Sequence, residues 1–235
     1  MALGRICGAV LAMAAWCAPA MAQAPGPPLP RFVVVLNAAH GGDDSGGHSS
    51  DWLEKNFTLA MSVKLRSLLA ARGIQVLTTR ESDVTLNADQ RDAIANHAKA
   101  QACVSLHGTL TGSGVHLFAS SFSPAAQVRF IPWKTAQAVW VTRSVALEGV
   151  VNSALQQAEL PVTVGRTALP MVDSMTCAAI AVEIAPDRNA TGTPAQSLND
   201  ADYQARVANA LAAALVEWRS EGPHLDAPGT GAGQP

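Results

Sequence analysis

The 235-residue sequence predicts a three-layer α/β fold, with a mainly parallel or mixed central sheet flanked by helices. Three observations carry this expectation. The continuous apolar, β-branched runs FVVVLN at 32–37 and AAIAVEI at 178–184 have the pattern of strands buried on both faces. Between them, segments with helical apolar spacing alternate with further short strands, as they do where helices cross over a sheet. The length suits one such domain, with 49% hydrophobic residues, 14% charged residues and no internal repeat.

Each element has its own signal. The strand at 32–37 runs into a glycine-rich loop, AHGGDDSGGHSSDW. From Glu54 to Arg72, residues Phe57, Met61, Leu65, Leu68 and Leu69 fall on one helical stripe, and Gly73 stands where a C-cap belongs. Ile74 to Thr79 reads as a strand. Asn87, with Gln90 three residues later, is the capping-box pattern that opens a helix, here running to about Ala100. Residues 102–106 and 114–120 are expected strands, 124–135 irregular, and 136–158 a helix. Tyr203, Val207, Leu211, Leu215 and Trp218 make one stripe of a closing helix.

The ends read differently. Residues 1–22 combine Arg5, an apolar run from Ile6 to Pro19 and the small-x-small sequence Ala20-Met21-Ala22, which is the pattern of a secretory signal peptide. The run is shorter than the ~20 residues a spanning helix needs, so no membrane span is expected once it is removed. The chain is therefore expected to be exported, to the periplasm, the extracellular space or the cell wall. A Pro-rich lead-in at 23–31 and a tail at 219–235 are expected to be flexible, leaving 32–218 as the working domain. A net charge of -2 without any block of like charge argues against a nucleic-acid partner.

In sheets of this kind, ligands bind beyond the carboxyl ends of the strands. Three expected strands end there in polar residues: Asn37 to His40, Ser105-Leu106-His107, and Val182-Glu183. Glu54 opens the helix that leaves the first loop and can return to the same edge. Two imidazoles, one carboxylate and an open position are what a catalytic zinc requires, which leaves Glu183 free to act as a base. Each residue also has a plainer reading. Asp51-x-x-Glu54 can be a capping box, the histidines can be loop hydrogen bonders, and Glu183 can belong to a structural ion pair. His48 is the rival ligand, while His97 and His116 read as structural. Trp52, Trp133 and Trp140 can offer flat surfaces to sugar or peptide, but core packing is the expectation. Cys103 precedes His107 by four residues and Cys177 precedes Glu183 by six, so each shares a strand face with its neighbour. If those strands are adjacent the cysteines can pair; otherwise they are two buried thiols.

Taken together, these residues resemble the zinc-dependent N-acetylmuramoyl-L-alanine amidases. The family's Asp-Ala-Gly-His-Gly-Gly turn and following Glu-Lys appear as NAAHGGDDSGG with Glu54-Lys55. Its next block appears as Thr79-Arg80, Asp83, Leu86, Arg91 and Ala95-Asn96. The Ser-Ile-His-Ala-Asn block is present as Ser105 to Thr109, and the last as AVEIAPDRN, with Glu183 and Asn189. The resemblance spans 32–218 and implies that His40, Glu54 and His107 bind one zinc ion. It makes Glu183 the catalytic carboxylate and peptidoglycan or muropeptides the substrate, cut between N-acetylmuramic acid and the stem peptide's L-Ala. Thr109 and Arg166 are candidate substrate contacts, the latter for a carboxylate.

The departures are Asn37 for Asp, Ala39 for Gly, Gly108-Thr109 for Ala-Asn and Ala185-Pro186 for Gly-Phe. None removes a ligand or Glu183, but they leave open an impaired peptidoglycan-binding protein, or a hydrolase of free muropeptides or other amides. Residues 120–140 show no additional amphipathic helix of the kind that blocks the zinc in some relatives, so a monomer with an open site is expected.

Overall fold

The structure is a computed structural model that describes residues 31–125, 132–188 and 194–221. The expected signal peptide, most of the lead-in, part of the irregular 124–135 segment, Asn189 and the tail after 221 lie outside the described residues.

Six strands form the central sheet: β1 (Val33–Ala38), β2 (Gln75–Thr78), β3 (Ala102–Gly108), β4 (Val115–Ser120), β5 (Val162–Thr167) and β6 (Ala179–Ile184), in the spatial order β2-β1-β3-β6-β4-β5. β2, β1, β3 and β6 run parallel, and β4 is antiparallel to β6 with β5 parallel to β4. The connection from β3 to β4 is too short to carry the chain back to the far edge, as a parallel strand would require. β4 therefore reverses, and its first residues share an edge with the carboxyl ends of β1, β3 and β6.

The pleat divides the core. Val34, Leu36, Val104, Leu106, Ile180 and Val182 point to one face, where they pack with residues of α1 (Glu54–Ala70), α3 (Gln137–Gln157) and α4 (Ala201–Ser220), including Met61, Leu147, Tyr203 and Trp218. Val33, Val35, Cys103 and Ala179 point the other way, into a smaller cluster with Ala95 of α2 (Ala88–His97) and Met175. A disulfide joins Cys103 to Cys177 on this second face, with both residues buried.

Local chemistry explains the helix starts. The Asn87 side chain accepts from the Gln90 N–H at 2.9 Å, and the Gln90 side chain accepts from the Asn87 N–H at 2.9 Å, which is the capping box read from the sequence. The Asp51–Glu54 capping box does not form. Leu53 is the N-cap of α1, without any side-chain cap, and Asp51 bonds the Ser49 hydroxyl instead. Glu54 is thereby left for other work. Trp52 is buried as expected, whereas Trp133 is 51% exposed and not a core residue.

One buried charge gives a stability prediction. Glu148 on α3 is 3% exposed, and its Oε1 has no hydrogen-bond partner among the described residues. Burial pushes its carboxyl up to about 7, against the opposing pull of the Ala119 backbone and the Arg166 charge. The folded state thus holds an extra proton between the ordinary value of 4.5 and about 7, and stability falls as pH rises through that window. Glu148→Gln keeps the shape and removes the ionisation. It is expected to raise the unfolding free energy at pH 8 by about 3 kcal/mol and to change little at pH 4. Urea denaturation at the two pH values checks this, and equal effects at both would contradict it.

Candidate metal centre

The loop after β1 carries the first ligand. His40 has φ of 61°, a left-handed conformation that costs a non-glycine residue energy unless its surroundings impose it. Two buried arginines do so. Arg80 donates to the carbonyls of Ala38 and Ala39, each at 3.0 Å, and Arg91 donates to those of Ala38 at 2.7 Å and His40 at 2.6 Å. Asp83 accepts from the Gly42 N–H at 2.6 Å and from Lys55 at 2.8 Å. Arg80, Asp83 and Arg91 of the second sequence block are therefore the brace of this loop. Further on, at Gly46 (φ 64°), a Cβ would stand 2.6 Å from His40 Cδ2 and 2.7 Å from Glu54 Oε2, so only glycine lets the chain pass so close to both.

Three donor atoms converge at this edge. Glu54 Oε1 lies 3.1 Å from His40 Nε2 and 3.2 Å from His107 Nδ1, and the group's ligand atoms all fall within 4.8 Å of one another. The outward nitrogens are also engaged. His40 Nδ1 lies 2.8 Å from Asp44 Oδ2, and His107 Nε2 is 3.1 Å from Ser105 Oγ, which accepts from the Asn37 amide at 2.8 Å. Asn37 Oδ1 in turn accepts from Arg91 at 2.8 Å and Thr79 at 2.9 Å. Burial pushes the Glu54 carboxyl up, but donation by His107, His40 and the N–H groups of Gly47 and Gly108 outweighs it and holds the group far below the usual carboxylate range. His40 is raised, chiefly by its bond to Glu54, with burial opposing and Asp44 adding to the rise.

This donor set fits a divalent cation. The Glu54 oxygen is within 3.2 Å of a nitrogen of each imidazole and all three donor atoms lie within 4.8 Å of one another, so one divalent ion could be held by two imidazoles and a carboxylate. Without a cation, His40 can donate to Glu54 and Asp44 together only as an imidazolium. A cation held by the three donors would take the place of the inner protons, with Asp44 and Ser105 orienting the rings.

The remaining expected residues divide. Glu183 on β6 pairs in register with His107 on β3, so the two side chains share a face at this edge and Glu183 stands half-buried beside the group. Thr109 follows on the same rim, with its hydroxyl 3.0 Å from that of Thr111. His48 does not join the group; its ring faces the Gly46 carbonyl. Arg166 is not brought here. Its strand neighbour Thr163 lines up with the edge residue His116, and Arg166 lies three residues further along β5, about 10 Å away. Its guanidinium holds the Ser120 carbonyl at 2.8 Å, so the reversal of β4 and β5 carries this expected substrate contact away from the centre. Ser105 is named in the sequence only as part of its strand-end block, without a role, and Asp44 is not singled out there. Ser105 had a readable signal, two residues before His107 on one strand face; Asp44 depends on the loop's left-handed turn and had none.

The family model described as N-acetylmuramoyl-L-alanine amidase matches residues 34–217. The germination-specific N-acetylmuramoyl-L-alanine amidase of Bacillus subtilis is 32% identical over 94 residues, 34% of this chain and 40% of that protein. An endolysin of Bacillus phage SPP1 is 40% identical over 83 residues, 35% of this chain and 31% of that protein. The chain thus aligns with less than half the length of these curated relatives. The catalytic domain of CwlV, an N-acetylmuramoyl-L-alanine amidase from Bacillus (Paenibacillus) polymyxa, superimposes with a TM-score of 0.64 at 26% identity, covering 80% of this chain and 98% of that domain.

Proposed function

Since the chain belongs to the N-acetylmuramoyl-L-alanine amidase family, we propose that it is a zinc-dependent peptidoglycan hydrolase cutting the amide between N-acetylmuramic acid and the L-Ala of the stem peptide. The observation that carries this reading is the convergence of His40 Nε2, Glu54 Oε1 and His107 Nδ1, with Glu183 in register beside them. In this reading the chain is exported by residues 1–22 and meets its substrate in the periplasm, extracellular space or cell wall.

A zinc ion held by these three residues would supply Lewis acidity to the scissile carbonyl and acidify water. The chain's residues do the rest. Glu183 takes the proton of the attacking water and delivers it to the departing amine nitrogen of L-Ala. Asp44 and Ser105 face the outward nitrogens of His40 and His107 and fix the orientation of the two rings, and Arg80 and Arg91 fix the backbone that carries His40. Thr109, on the rim after His107, is positioned to contact substrate.

The Asn37–Ser105–His107 chain gives a quantitative expectation. Ser105→Ala removes the partner of His107 Nε2 and should weaken zinc binding by about 10- to 100-fold with the fold intact. Competition with a chromophoric chelator measures this, and unchanged affinity would show that the hydroxyl does not orient the ring.

Digestion of purified peptidoglycan by the zinc-loaded protein, with mass spectrometry of the products, tests the proposal. Free stem peptides beginning in L-Ala, abolished by chelation, are expected. Bound but uncut polymer would favour a binding protein, and cleavage confined to soluble fragments would favour a muropeptide amidase.

A further inference from the structure

His116, which reads as structural in the sequence, occupies a different position in the sheet. β4 is antiparallel to β6 in the register His116↔Glu183, so Glu183 lies between His107 on one neighbouring strand and His116 on the other, all three on one face. The Cβ atoms of directly opposite antiparallel residues are about 4.5–5.5 Å apart, a gap that imidazole and carboxylate side chains can span. Both side chains are half-buried. Neither has a hydrogen-bond or ion-pair partner among the described residues. His107 cannot serve Glu183, because its Nδ1 faces Glu54 and its Nε2 lies against Ser105. Of the two flanking imidazoles, only that of His116 has nitrogens to spare.

The β3–β4 loop sits over this ring. Gly112 has φ of 82°, and a Cβ there would stand 2.7 Å from His116 Nε2 and 3.9 Å from the Ala185 Cβ. Arg188 secures the loop, its side chain donating to the carbonyls of Gly112 at 2.8 Å and Leu110 at 3.1 Å. The imidazole is thus confined between the loop and the sheet face that presents Glu183. Catalytic hydrogen bonds are often absent or long before substrate arrives and tighten in the complex.

We propose that His116 is a positioning residue for Glu183, its ring N–H holding one carboxylate oxygen so that the other meets the attacking water and then the leaving amine. This rests on the amidase reading above and adds to it a residue outside the metal ligands and the base.

Steady-state kinetics on a soluble muropeptide, with zinc content measured in parallel, test it. For His116→Ala, kcat should fall by about 10- to 100-fold while KM and zinc content stay at the wild-type level. His116→Gln, whose amide can donate in place of the imidazole, should recover most of that loss. Independently of turnover, the His116 ring resonances in ¹³C-histidine-labelled protein should move when Glu183 becomes Gln at constant pH. A wild-type kcat in His116→Ala, a loss that Gln does not reduce, or ring resonances indifferent to Glu183→Gln would each overturn the proposal. A wild-type enzyme that releases no stem peptide would instead overturn the amidase reading itself.

Discussion

Replacing Glu183 with Gln is expected to lower kcat by about 10²- to 10⁴-fold while zinc stays bound at about one ion per chain, because positioned proton transfer contributes on that scale. The substitution keeps size and shape but removes the group that, in the proposed mechanism, accepts a proton from water and returns it to the amine. Glu183 is half-buried at the end of β6 and donates nothing to the three converging ligand atoms, so the metal group should survive its loss. Its in-register neighbour is His107, which places Glu183 on the same sheet face, beside the group. The variant should therefore split two properties that a damaged fold would lose together. Elemental analysis, a melting curve and single-turnover hydrolysis decide it, and near-normal hydrolysis by Glu183→Gln would remove the residue from the chemistry.

The second large effect concerns the ligands. His107→Ala takes away one of three donors, and a zinc site left with one imidazole and one carboxylate should lose its ion at working concentrations. Activity should then disappear with the metal. A ligand that binds only the folded state raises the melting temperature. Added zinc should accordingly raise it for the wild-type protein and leave that of His107→Ala where it was. His107 is a clean target, since among the described residues its side chain hydrogen-bonds Glu54 and Ser105 alone. Glu54 also anchors the Gly47 and Gly108 N–H groups, and its removal would disturb two loops at once. Retention of a full complement of zinc by His107→Ala would mean that the ion sits elsewhere.

Some of this molecule was legible in its sequence for physical reasons. β1 and β6 are buried on both faces, so apart from Asn37 and Glu183 near their carboxyl ends their residues are apolar, and the runs stand out. The cap of α2 was readable because a capping box is local chemistry within four residues. β5 was not found. It is an edge strand whose residues are half-buried or exposed, so it carries no apolar run, and Gly165 interrupts it. The direction of β4 was likewise invisible, since burial patterns do not distinguish a parallel from an antiparallel neighbour. One misplacement follows from that gap: Arg166, a candidate substrate contact in the sequence, lies down the sheet, and the register of His116 with Glu183 is likewise hidden from the sequence. For the site, the donor types and their strand-end positions were visible. The braces were less so, because the bonds of Arg80 and Arg91 to successive carbonyls of one loop depend on backbone geometry that a sequence does not display.

The most direct measurement of the central claim is anomalous X-ray scattering from crystals of the zinc-loaded protein, collected on both sides of the zinc absorption edge. One strong peak is expected within about 2.2 Å of His40 Nε2, Glu54 Oε1 and His107 Nδ1. A peak centred on other residues such as His48, or no peak at this group from a protein that still releases stem peptides, would contradict the account.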